Sequence, residues 1–181
     1  MKRIKFLGLF ILAGLLSSNT FAQTKMVGGA EMYPTKNIVE NAVNSKDHTT
    51  LVAAVKAAGL VPTLESAGPF TVFAPTNEAF DALPAGTVSN LLKPENKAKL
   101  TSILTYHVVP GKLSSADLMK MVKENNGKAT LKTADGEDLY ITMKGHNLMV
   151  SDKNGNTAKI TIADVNQNNG VIHVINKVLL P

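Results

Sequence analysis

The spacing of apolar residues changes midway along the chain. In the first half they recur every three or four positions. Ile38, Val39, Ala42 and Val43 form one such set, and Leu51, Val52 and Val55 form another. This spacing lines one face of an amphipathic helix, so two helices are predicted here, the second stopping at Gly59. A short turn follows over 60–66, and Phe70–Phe73 reads as a strand. The helical pattern returns at 77–83, around 88–92 and at 94–104, where Pro94 can occupy a first helical position at no cost in hydrogen bonding. Ser114-Ser115-Ala116-Asp117 has the form of a capped helix start and leads into Leu118, Met119 and Val122.

In the second half the period drops to two. Leu139, Ile141 and Met143 alternate with Tyr140 and Thr142; Leu148 and Val150 alternate with Met149 and Ser151; Ala158, Ile160 and Ile162 alternate with Lys159 and Thr161. Each set predicts a half-buried strand. Turn residues separate them: Asp135-Gly136, Gly145-His146-Asn147, Asn154-Gly155 and Asn169-Gly170. Residues 171–175 and 177–180 close the chain as strands. Helices first and strands afterwards predict an α+β fold, not an alternating parallel one.

The N-terminus adds a compartment. Lys2, Arg3 and Lys5 precede an apolar run from Phe6 to Leu16, and a short polar stretch ends at Ala22. This is the pattern of a secretory signal over residues 1–22. The apolar run falls short of the about 20 residues that span a bilayer, so no stable membrane anchor is expected. Residues 23–34, with Gly28-Gly29 and Pro34, predict a flexible leader, and one domain spans 35–181. The formal net charge of +5 includes the three basic residues of the signal, which weakens any case for nucleic-acid binding. The chain has no cysteine, so the domain must be held by its core rather than by disulfides. The expected location is the periplasm or the medium.

Candidate chemistry is sparse. With no thiol, cysteine nucleophiles and thiolate metal sites are excluded. No G-x-S-x-G or H-E-x-x-H occurs, and His48, His107, His146 and His173 are not spaced to aim two imidazoles at one metal from one element. Gly111-Lys112 resembles the end of a phosphate loop, but Tyr106 stands in place of the upstream glycine and Leu113 in place of the hydroxyl residue. Asp152-Lys153-Asn154-Gly155-Asn156 has its glycine in the wrong place for a calcium loop, and Ala163 replaces the bidentate carboxylate; it reads as a hairpin tip. Without tryptophan or a basic stripe interleaved with aromatics, nucleic acid has no support as a partner. No catalytic residue, metal or cofactor is expected.

Two stretches stand out. F-T-V-F-A-P-T-N-E-A-F-D-A-L (70–83) reads as a joint: a strand, a proline that ends pairing, Thr76 as a helix cap and Glu78 in the first turn. T-Y-H-V-V-P-G-K (105–112) carries Tyr106-His107, either a polar pair hydrogen-bonded inside the fold or a recognition site.

Three blocks resemble the fasciclin domain family: T-V-F-A-P-T-N-E-A-F, T-Y-H-V-V-P-G-K and, at the C-terminus, I-A-D-V-N-Q-N-N-G-V-I-H-V-I-N-K-V-L-L-P. They occur in order, and the likeness covers about residues 35–181. The resemblance implies a fasciclin-like α+β fold, a wedge of two antiparallel sheets packed against a layer of short helices. It also implies a non-enzymatic module for cell adhesion or matrix binding. The partner would be a cell-surface or matrix protein or polysaccharide. The family's Tyr-His segment maps to Tyr106 and His107, flanked by Val108 and Val109. The segment implicated in integrin binding by animal relatives maps to Asp164 and Val165, although Ala163 and Asn166 depart from its flanks, so integrin recognition is not implied. The plain alternative for Asp164 is a hydrogen-bonding residue at a strand end. With no coiled coil or tandem domain, the chain is expected to be a monomer or a weak homo-oligomer. Two other functions stay open. One is a periplasmic small-ligand carrier or unrecognised enzyme, with Tyr106, His107, Asp164 and His173 converging on a pocket. The other is a host-contact or symbiosis factor.

Overall fold

The computed structural model of the protein describes residues 23–181; the expected export signal over 1–22 lies outside them. The described chain opens on a hairpin of β1 (Lys25–Val27) and β2 (Ala30–Met32). Gly28 and Gly29 have φ of 58° and 75°, the positive values that the two central residues of a tight hairpin turn need. This corrects the flexible leader expected at 23–34. The glycine pair is not a break but a turn, and it lets Val27 and Met32 reach the core, each 3% exposed.

A helical layer follows. α1 (Ile38–Ala42) starts at a capping box in which Asn37 and Glu40 each bond the other's backbone N–H. α2 (Thr49–Ala58) ends, as expected, at Gly59 with φ of 75°. α3 (Val61–Glu65) is a helix where only a turn was predicted. β3 (Phe70–Pro75) runs on through the proline that was expected to end pairing, and Thr76 then caps α4 (Asn77–Asp81) through the N–H of Ala79. α5 (Thr87–Leu91) and α6 (Lys97–Tyr106) complete the layer, the latter preceded by a 3-10 turn at Pro94–Asn96.

After β4 (Val108–Pro110), α7 (Ser115–Glu124) begins at the capping box read from the sequence, Ser114 with Asp117. The strands β5 (Lys128–Lys132), β6 (Asp138–Lys144), β7 (Asn147–Ser151), β8 (Thr157–Gln167) and β9 (Gly170–Ile175) follow. The sheet order is β4-β3-β9-β8-β7-β6-β5. Its pairs are antiparallel except β3 with β9, which run parallel. β8 is shared by both halves. It pairs with β7 at its start and with β9 from Ile160 onward, across register shifts at Ile160/Ile162 and Ile162/Val165. Such irregularities bend a strand, and here they divide the sheet into two antiparallel-rich halves.

The fold has two apolar cores. One lies between α1–α6 and one face of β3, β4 and β9; the other is enclosed by α7 and β5–β8. Neighbouring residues of a strand point to opposite faces, so Val72 and Val108 enter the first core while Phe73 and Val109 enter the second. A strand covered on both faces needs a continuous apolar run, and every residue of β9 is buried. Residues 177–180 form no strand. Val178 and Leu179 are buried, and side-chain acceptors take the N–H groups of Leu179 and Leu180.

Candidate functional site

Tyr106 is the last residue of α6, and its side chain is 0% exposed. Its hydroxyl donates to the Asp138 carbonyl at 2.8 Å. Burial pushes the phenol up to about 12, so it remains a donor. His107 lies 2.8 Å from the Ile103 carbonyl through Nδ1. A carbonyl only accepts, so Nδ1 carries the hydrogen and Nε2 is bare. Nε2 accepts from the Leu179 N–H at 3.1 Å. Both ring nitrogens are thus satisfied by the neutral ring, and burial holds its pKa down at about 4. Val108 and Val109 are buried in the two cores. These four residues were expected to meet a partner; the structure places them inside, where Tyr106 ties the end of α6 to β6 and His107 ties it to the C-terminal segment. Their apolar neighbours explain it, because a polar pair between two cores has to be paired internally.

The second carried-over segment is also tied to the fold. Asp164 is half-buried and left-handed, with φ of 57°. Its carboxylate accepts from the backbone N–H of Ser115 at 2.6 Å and from the Ser115 hydroxyl. Ser115 is the first residue of α7, so a carboxylate from a distant strand caps the positive end of that helix. The Asp164 N–H donates to His173 Nδ1 at 3.2 Å, and His173 Nε2–H donates to the Leu113 carbonyl at 2.9 Å. His173 stacks on Phe73 with ring centroids 5.7 Å apart, and burial lowers its pKa. Val165 is 1% exposed.

Asp164→Ala is therefore expected to lower stability by about 1–2 kcal/mol, the cost of a lost cap. Asp164→Asn, which keeps an acceptor and tolerates the left-handed backbone, is expected to lose less. Thermal melts of both variants check the order; equal melting temperatures for Asp164→Ala and the parent chain would contradict the capping role.

Tyr106, His107, Asp164 and His173 do not converge on a pocket. They form two networks, one ending on Asp138 and Leu179, the other on Ser115 and Leu113. His48 is buried as well, with Nδ1 2.9 Å from the Ser45 hydroxyl and Nε2 without a hydrogen bond; the Ala74 carbonyl nearby offsets only part of the lowering of its pKa by burial. Among the described residues no group of three or more His, Asp or Glu is placed to hold a metal ion. Asp152, read as part of a hairpin tip, is 2% exposed. Its carboxylate accepts from the N–H groups of Asn154, Asn156 and Leu180 and from the Asn156 amide. The loop thus folds around its own carboxylate, which also fastens the C-terminal segment.

Sequence reading did not find a cavity of about 60 Å³ beneath the helical layer. Val39 of α1, Leu51, Val52 and Val55 of α2, and Leu60 and Val61 at the start of α3 contribute to its wall. Part of the signal was present, since Val39, Leu51, Val52 and Val55 gave two helices their apolar faces, but periodicity does not reveal where two faces fail to meet.

No helix among the described residues is long and apolar enough to cross a membrane. The Fasciclin domain family matches residues 46–181. The matched span begins in the 3-10 turn Lys46–His48, so the hairpin and α1 precede it and still pack into the first core. Protein sll1483 of Synechocystis sp. is 48% identical over 162 residues, covering 90% of this chain and 83% of its own. Immunogenic protein MPB70 of Mycobacterium bovis is 39% identical over 145 residues, covering 77% and 66%. Transforming growth factor-beta-induced protein ig-h3 of Sus scrofa is 41% identical over 131 residues, 72% of this chain but 17% of that longer one. A FAS1 domain pair from the insect cell adhesion molecule Fasciclin I superposes with a TM-score of 0.72 at 19% identity, over 82% of this chain and 52% of that one. At that identity the superposition speaks for the fold, and the sequence matches speak for the relationship: the chain belongs to the fasciclin domain family.

Proposed function

We propose that this protein is an exported, non-enzymatic interaction module that binds a cell-surface or matrix component. The observation that carries the reading is the state of its most reactive-looking groups. Tyr106, His107 and His173 are buried and engaged by internal partners, and the Asp164 carboxylate caps a helix. Groups so occupied hold a scaffold rather than turn over a substrate. Membership of a family that includes a protein described as a cell adhesion molecule supports the same reading. The basic, apolar N-terminus read from the sequence supports export.

The test is saturable binding. Residues 23–181 are immobilised and challenged with purified envelope polysaccharides and with solubilised surface proteins. One species is expected to bind saturably and to be retained equally by Tyr106→Phe, which keeps the fold. Absence of saturable binding to either class, or turnover of a bound component, would refute the proposal.

A further inference from the structure

The cavity beneath the helical layer is bounded mostly by apolar side chains, with Ser45, His48, Lys56 and His107 also in its wall, and it is partly open. α1 packs on α3 and α2 packs on α6, while α1 and α2 share little direct contact. Val39, Leu51 and Val52, which face this gap, are partly exposed instead of sealed. Val43 lies one turn beyond Val39 on the same face and is 46% exposed, so the apolar strip continues out of the cavity onto the surface. The surface that this space offers a guest is apolar, and about 60 Å³ holds roughly two water-sized groups. The preformed space therefore fits the end of one hydrocarbon chain, with the remainder of the chain lying along the gap.

Charge at the rim indicates the other end of the guest. Lys56 contributes to the cavity wall and is exposed, the arrangement of a stem on apolar surface with its ammonium in water. The Lys97 ammonium lies over Gly59, at the same end of α2. Among the described residues neither lysine forms an ion pair. Inside, the titratable wall residues are His48 and His107, whose rings burial keeps neutral, so a carboxylate pushed inward would be left uncompensated.

We propose that this chain binds a free long-chain fatty acid, its tail inserted between α1 and α2 into the cavity and its carboxylate at the rim beside Lys56 and Lys97. This goes beyond the adhesion reading and does not depend on it.

The probe is cis-parinarate, a fatty acid whose fluorescence rises in apolar surroundings, titrated into residues 23–181, the whole of the described fold. Saturable binding of one molecule per chain is expected. Val52→Trp fills the gap at a partly exposed position and is expected to weaken binding by about tenfold or more; Val39→Trp does the same from α1 should Val52→Trp fail to fold. Lys56→Glu is expected to weaken parinarate about fivefold at low salt while leaving the neutral alcohol of the same chain length unaffected. Non-saturable binding, or binding untouched by both tryptophan variants, would overturn the site. Equal loss of acid and alcohol in Lys56→Glu would overturn the assignment of the carboxylate to the rim. Uptake only from phosphatidylglycerol vesicles, and not of the free acid, would overturn the choice of ligand.

Discussion

Tyr106→Ala lowers the melting temperature by about 10 °C, from a loss of about 3–5 kcal/mol. The side chain has no exposed surface and packs in the second core with Phe73, Leu118 and Leu139. Truncation leaves a cavity bounded by elements from both halves of the sheet, which cannot collapse without moving a strand. Tyr106→Phe keeps the packing and removes only the hydrogen bond to the Asp138 carbonyl, so its expected cost is about 1–2 kcal/mol. Scanning calorimetry of the two variants separates the roles. A recognition residue on the surface would give binding loss with an unchanged melt; here the melt itself moves. A Tyr106→Ala protein as stable as the parent would refute the interior role.

How much of this was legible in the sequence depended on the range of the interaction. Local signals were read correctly. Thr76 and the Ser114–Asp117 pair cap helices within one turn of themselves, and Gly59 ends α2 through its own backbone. The alternation that marked β6 and β7 reports a strand with one buried face. Where a reading failed, the deciding contact was distant. Gly28-Gly29 looked like a flexible leader until the core supplied a place for Val27 and Met32. Lys177–Leu180 has strand composition, but its amides are taken by His107 and Asp152 instead of a neighbouring strand. β5 shows only Ala129 and Leu131 as inward residues, too few to announce a strand. The family motifs identified the fold without telling inside from outside. Tyr106-His107 is a joint between two cores, and nothing in the string of letters distinguishes that from a contact surface.

The buried histidines make a second large prediction: stability falls as the pH drops from 7.5 to 5, before carboxylates begin to titrate. His107 titrates at about 4 in the folded chain and near 6.5 when unfolded. Between those values the unfolded chain holds a proton that the folded chain lacks, so acid favours unfolding. The stabilisation is complete above about pH 6.5 and lost as the pH falls toward 4. By pH 5 the loss from His107 alone is about 2 kcal/mol. Burial lowers His48 and His173 in the same direction, which adds to the slope. Asp152 and the Ile103 carbonyl favour the charged His107 ring, but burial outweighs them. Glu31, Glu78 and Asp117 are exposed and held below their usual range by hydrogen bonds, so their own losses come at lower pH. Urea midpoints at pH 7.5, 6 and 5 should therefore decline steadily, and a midpoint that stays level would contradict the scheme. His107→Leu should be less stable at pH 7.5, since it strands the Ile103 carbonyl and the Leu179 N–H, yet show a shallower decline. Below about pH 4 the folded chain itself takes up the proton: on Nε2 it turns the acceptor of the Leu179 N–H into a donor facing a donor, which works against the docking of the C-terminal segment.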